Sequence, residues 1–203
     1  MRTYKRHVGD GFEFLVPQAW LRDQTLVLRG AVARTTALDP PDLLRRPRRG
    51  GGGREEPAVA YGPPGSSGEV NVSVVAARAP LSAFRFEDRA GAPAGVAALL
   101  QAALAPPGRG RVLEVSSVQE RGAAYYTAEF SIALPGRFER HNVSTFHVTP
   151  GGRLFTLNVQ APEALWRVDG QLREWAAVMA GSLLVDNGGG GGLLGAASSA
   201  LQL

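Results

Sequence analysis

Cysteine is absent from the 203 residues, which excludes disulfides, thiol catalysis, iron–sulfur ligation and any zinc site built on thiolates. Lysine is almost absent too: Lys5 is the sole one among 22 basic residues, so nearly all the positive charge is arginine and stays on at any physiological pH. No apolar run approaches the roughly 20 residues that span a bilayer, and the opening MRTYKRHVGDGF has no apolar signal core. The chain is therefore expected to be either cytosolic or a mature form whose targeting segment lies outside this sequence. With 44% apolar and 20% charged residues, most of the chain should fold, and its length suits one core better than two.

What is plentiful is glycine, 26 residues, and with proline it concentrates in RRPRRGGGGREEPAVAYGPPGSSG, residues 45 to 68. That stretch holds five arginines, more than the whole net charge of +4, so the rest of the chain is close to neutral. Arginines could neutralise phosphates, but a single-strand binder also stacks bases on exposed aromatics, and residues 39 to 68 offer only Tyr61. A solvated or protein-contacting loop is the better reading, and no nucleic acid is expected as a partner. Residues 39 to 68 as a whole read as an irregular, disordered insertion within a single domain of residues 1 to 185. Residues 186 to 203, DNGGGGGLLGAASSALQL, read as a flexible tail.

Elsewhere the pattern alternates. GFEFLV (11 to 16), then TLVLRGAV, carry strand signals. EVNVSVVAAR (69 to 78) puts Val70, Val72 and Val74 on one face and Asn71 and Ser73 on the other. PAGVAALLQAALA (93 to 105) reads as a helix opened by a proline and stopped by Pro106 and Pro107. Four strands follow at 111 to 119, 123 to 134, 138 to 149 and 153 to 161. The turn residues between them, Arg121-Gly122, Pro135-Gly136 and Pro150-Gly151-Gly152, predict an antiparallel meander. Leu165, Val168, Leu172, Trp175 and Met179 then repeat at 3, 4, 3, 4, predicting one amphipathic helix that starts at Pro162. Strands in a meander with helices on either side predict an α+β domain, and the lack of βαβ alternation excludes nucleotide folds.

Catalytic signatures are missing. GRGR (108 to 111) and GGGGR (50 to 54) lack the Lys and Ser/Thr of a phosphate loop, and there is no G-x-S-x-G elbow or H-E-x-x-H pair. His7, His141 and His147 are the only histidines. The last two share a strand face but lie roughly 20 Å apart at about 3.3 Å per residue, too far to share a metal. Each reads as a hydrogen-bonded or surface histidine, and the chain as no enzyme.

GDGFEFLVPQAW (9 to 20) resembles the opening of the PsbP family of thylakoid-lumen proteins, in which a G-D-G-F strand runs into a V-P-x-x-W turn. EVNVSVV resembles that family's asparagine-containing strand and AYYTAEF its paired-tyrosine strand. ERHNVSTFHV and GGRLFTLNVQAPEALW resemble its K-H and G-K-L-Y strands and the entry to its last helix. The resemblance implies an α-β-α sandwich with a central antiparallel sheet. It also implies a lumenal protein, peripheral to the membrane, that docks on the lumenal face of photosystem II, photosystem I or the NDH complex. Only MRTYKRHV precedes the first motif, and about thirty residues of Pro, Gly and Arg replace a short loop before the N-V-S-V strand. These departures favour an auxiliary PsbP-domain protein over the oxygen-evolving subunit itself. From that subunit's metal-linked histidine and acid, the resemblance carries over His141 and Glu163. They imply a water-completed site for Mn²⁺, Zn²⁺ or Ca²⁺, and the competing reading is an ion pair that pins helix to sheet. Trp20 and Trp166 match family positions and read as core or hinge anchors, and Trp175 as core.

Overall fold

The computed structural model describes residues 3–23, 57–65, 68–78, 93–104, 110–133 and 139–187. Phe12–Pro17 (β2) buries Phe12, Phe14 and Val16 on one face. It is flanked by Tyr4–Val8 (β1) on one side and Leu184–Val185 (β10) on the other, forming a small antiparallel sheet. The G-D-G-F motif makes the β1–β2 turn: Gly9 N–H donates to the Phe12 carbonyl (2.8 Å), a Cβ at Gly9 would run into the Phe12 ring, and Gly11 has φ 79°.

The main sheet is seven-stranded and antiparallel throughout. In chain order its strands are Leu21–Arg22 (β3), Val59–Gly62 (β4), Asn71–Arg78 (β5), Gly110–Glu120 (β6), Ala123–Ile132 (β7), Arg140–Val148 (β8) and Arg153–Pro162 (β9). In space they run β3-β4-β5-β9-β8-β7-β6. The expected meander is present as β6 to β9. Its first hairpin turns through Arg121 and Gly122, both at positive φ (51° and 74°), a two-residue turn whose twist matches the strands it joins.

Helices cover both faces. The adjacent Tyr125 and Tyr126 of β7 point in opposite directions, the first into the main core, the second into a smaller cluster with Val96. Val96 lies on the helix Pro93–Ala103 (α1), where the proline-opened helix was expected. On the other face Glu163–Val168 (α2) and Gly170–Gly181 (α3) pack on β8, β9 and β2. There Leu172, Ala176, Met179 and Ala180 meet Val72, Val74, Leu157 and Val159. Each such aliphatic side chain, fully buried, contributes about 1.5 to 3 kcal/mol. The result is the α-β-α arrangement expected.

Three expectations need correction. The last helix is two helices, because Asp169 leaves helical geometry (φ −94°, ψ 94°) and its carboxylate accepts from Leu172 N–H (3.0 Å), capping α3. Val168 is consequently 80% exposed and Leu165 37%, so neither belongs to the buried stripe, and Trp166 takes the inward position. Within the span read as irregular insertion, residues 59 to 62 form β4, with Val59 and Tyr61 buried against β5. TYKRHV, to which the sequence reading assigned no element, contains β1, whose Arg6 is paired with the buried Glu13 of β2. The strand expected at TLVLRGAV, the arginine-glycine run, the turn at Pro135-Gly136 and the glycine-rich tail from 188 lie outside the described residues.

Candidate functional site

The strand β8 brings His141 to the sheet face under α2, next to Ala161 of β9 and Ser131 of β7 in register. The ring is 2% exposed, yet both nitrogens have carboxylate partners. Nδ1 lies 2.8 Å from Glu163 Oε2, on the first turn of α2, and Nε2 lies 2.8 Å from Glu129 Oε1 on β7. Trp166, one helical turn beyond Glu163, stacks on the imidazole at 4.1 Å between centroids and 13° between planes. Arg167 completes the chain, donating Nε–H to Glu163 Oε1 (2.9 Å) across an i,i+4 step.

The protons follow from the partners. An ionised carboxylate only accepts, so both contacts are satisfied together when the ring carries hydrogen on both nitrogens. Burial pushes the Glu163 carboxyl up, but the hydrogen bonds and charges of His141 and Arg167 more than offset it, and its pKa lies below the usual glutamate value. The row Glu129, His141, Glu163, Arg167 thus alternates acidic and basic groups, which is how buried ionisable side chains are tolerated. It ties β7, β8 and α2 together.

His147 stands on the same strand face, 4% exposed, and it also stacks on an aromatic, Tyr125, at 4.5 Å. Its Nδ1 donates to the Ala124 carbonyl (2.9 Å) and its Nε2 meets the side-chain amide oxygen of Asn187 (2.8 Å). His7 is half-buried on β1 beside Tyr61, Nδ1 to Oη 3.0 Å. Burial, and secondarily the charge of Arg22, push its pKa below the usual histidine value.

His141 and Glu163, paired in advance by resemblance, are therefore in direct contact. His141 and Glu163 are the two donors of the metal site that the resemblance implies, and Glu129 sits on the opposite side of the ring. Among the described residues no three His, Asp or Glu side chains converge as ligands. Glu129 was not foreseen. It faces His141 only through the β7–β8 register, two residues from Ser131, and nothing local in AYYTAEF marks it. Arg167 was readable as the i,i+4 partner of Glu163.

Beside this row, α3 stops short of the sheet edge and leaves a groove of about 390 Å³. Glu114, Ser116, Thr127, Glu129, Trp166 and Arg173 contribute to its lining.

Two helical layers on an antiparallel sheet, with a carboxylate-clamped histidine at the helix entry, define a PsbP-like α+β fold. The solution structure of cyanobacterial PsbP (CyanoP) from Synechocystis sp. PCC 6803 shares it, with TM-score 0.56 over 91% of this chain and 94% of that one at 19% identity. So does the Saccharomyces cerevisiae Ran-binding protein Mog1p, with TM-score 0.52, 10% identity and coverage of 93% and 98%. Both likenesses speak to fold alone. The PsbP family model matches residues 2–178, and the chain belongs to the PsbP family. It is 40% identical over 166 residues to PsbP domain-containing protein 7, chloroplastic, of Arabidopsis thaliana, covering 77% of this chain and 57% of that protein. The chain thus spans little more than half of that relative's length. CyanoP of Thermosynechococcus vestitus is 28% identical over 173 residues, covering 81% and 77%.

Proposed function

We propose that the protein is a non-enzymatic component of the thylakoid lumen that binds a photosynthetic membrane complex and helps assemble or stabilise it. The observation that carries this reading is family membership together with 40% identity to a chloroplastic PsbP-domain protein. The site supports it. Both nitrogens of His141 are engaged with carboxylates and Glu163 also with Arg167, leaving the imidazole no free nitrogen for proton transfer to a substrate. No helix among the described residues is long and apolar enough to cross a membrane, in keeping with docking from one side.

The test is capture. Tagged protein incubated with detergent-solubilised thylakoids should retain subunits of photosystem II, photosystem I or the NDH complex above a charge-matched control. Recovery equal to the control would sink the reading. A second reading, divalent-metal handling, draws on the contact between His141 and Glu163. It requires the metal to displace the hydrogen bond at Nδ1, so calorimetry with Mn²⁺, Zn²⁺ or Ca²⁺ should show saturable heat that His141→Gln removes. Metal handling fails if no such heat is seen.

A further inference from the structure

The edges of the main sheet are unlike. At one end β3 runs two residues, and in the small sheet the edge strand β1 carries Lys5 and Arg6, both devices that discourage strand addition. Among the described residues the other end of the main sheet is β6, eleven residues long. A bulge interrupts its pairing between Val112 and Glu114, but from Glu114 to Glu120 the register with β7 is unbroken. That seven-residue run contains no Pro, Lys or Arg, and every side chain in it except Val115 is exposed, Val118 at 58%.

The charges within this run are Glu114 and Glu120, the second with Arg121 beside it at 3.9 Å. Glu114 lies directly opposite Glu129 on β7, and both reach into the groove beneath α3. Like charges opposed across strands destabilise a sheet unless a cation joins them. Glu129 has His141, whereas Glu114 has no cationic partner among the described residues. Arg173 on the far wall directs its guanidinium at the carbonyls of Trp166 and Arg167, 2.6 and 2.9 Å away.

We propose that β6 receives an extended, basic segment of a partner protein as an eighth strand, pairing along Glu114–Glu120. Alternate arginine or lysine side chains would pass over the edge toward Glu114 and Glu129. Main-chain hydrogen bonds supply affinity in this mode, and side-chain pockets on one face supply selectivity. A second copy of this chain fits less well: an isologous pairing of the whole run about Ser117 would set Glu114 against Glu120 of the copy. This deepens the binding-protein reading by naming a surface and a partner chemistry, without depending on which complex is bound.

The probe is a pair of ten-residue peptides, one alternating arginine with valine and threonine, the other with glutamate in place of arginine. They are titrated into the isotope-labelled full chain. The arginine peptide should shift and protect the amides of residues 114 to 120 saturably, and the glutamate peptide should not. Glu114→Arg with Glu120→Arg should weaken the arginine peptide about tenfold and reverse the preference. The proposal is overturned by equal binding of both peptides, by shifts mapping away from β6, or by an affinity that ignores the charge reversal. Concentration-dependent self-association that protects the same amides would overturn it in favour of a second copy. Intact thylakoid capture alongside a failed titration would remove the edge and leave the binding reading standing.

Discussion

His141 and His147 occupy one strand, face the same way, are almost fully buried, and each lies flat against an aromatic ring with both nitrogens bonded. They differ in what they are bonded to. The partners of His141 are carboxylates, which cannot donate while ionised, so both bonds are kept when the ring carries two hydrogens. The partners of His147 are a carbonyl and a carboxamide, and a half-turn of the Asn187 amide would offer an N–H to an unprotonated nitrogen. Equal burial therefore does not mean equal electrostatics. One imidazole is bracketed by acidic groups, while the other is held by uncharged ones.

The sharpest way to break the comparison is to remove each ring. His141→Leu leaves Glu163 largely buried with only Arg167 beside it, and should cost about 3 kcal/mol by chemical denaturation, in the range seen when a buried ion pair loses one member. Glu163→Gln should cost less, about 1 to 2 kcal/mol near neutrality, because the amide oxygen can still accept from Nδ1. It should also change the acid limb. The pKa of Glu163 is lower in the folded chain than in the unfolded one, so its contribution is complete above the unfolded value of about 4.3 and disappears as pH falls through the folded value. Denaturation midpoints from pH 7 to pH 3 should therefore fall less in the variant than in the wild type; an identical slope would show that the row contributes nothing to acid stability. His147→Gln should have the smallest effect, about 1 kcal/mol, with that slope unchanged.

Much of the architecture was legible because antiparallel strands advertise themselves twice, in period-two alternation and in the turn residues between them. RVLEVSSVQ, AAYYTAEFSIAL, ERHNVSTFHV and RLFTLNVQA carried both signals, and they form β6 to β9. The helix break was hidden by chance: Leu165 and Val168 continue the spacing of Leu172, Trp175 and Met179 across a boundary that only Asp169-Gly170 marks. An aspartate capping an amide three residues on was the available cue. β4 is too short to show a period amid glycine and proline, and β1 is built of Tyr, Lys, Arg, His and Val, without the apolar alternation that would have exposed it. At the site, the closeness of His141 and Glu163 came from resemblance rather than spacing. Glu129 needed the register of two strands joined through residues 133 to 139, a long-range fact that no local window contains.

The three-stranded sheet bears on how the chain comes together in time. β2, residues 12 to 17, is synthesised well ahead of its second neighbour, β10, which consists of residues 184 and 185 and whose Val185 N–H also donates to the Tyr125 hydroxyl. On a ribosome moving at about 5 to 20 residues per second, β2 waits on the order of ten seconds for that partner. During this interval Phe12 and Phe14 lack α3 as well, since the helix that packs on them is synthesised just before β10. Closure of the core is thus a late, long-loop event. Folding should be slow for a domain of this size, and nascent chains truncated before residue 185 should be the ones that holdase chaperones retain.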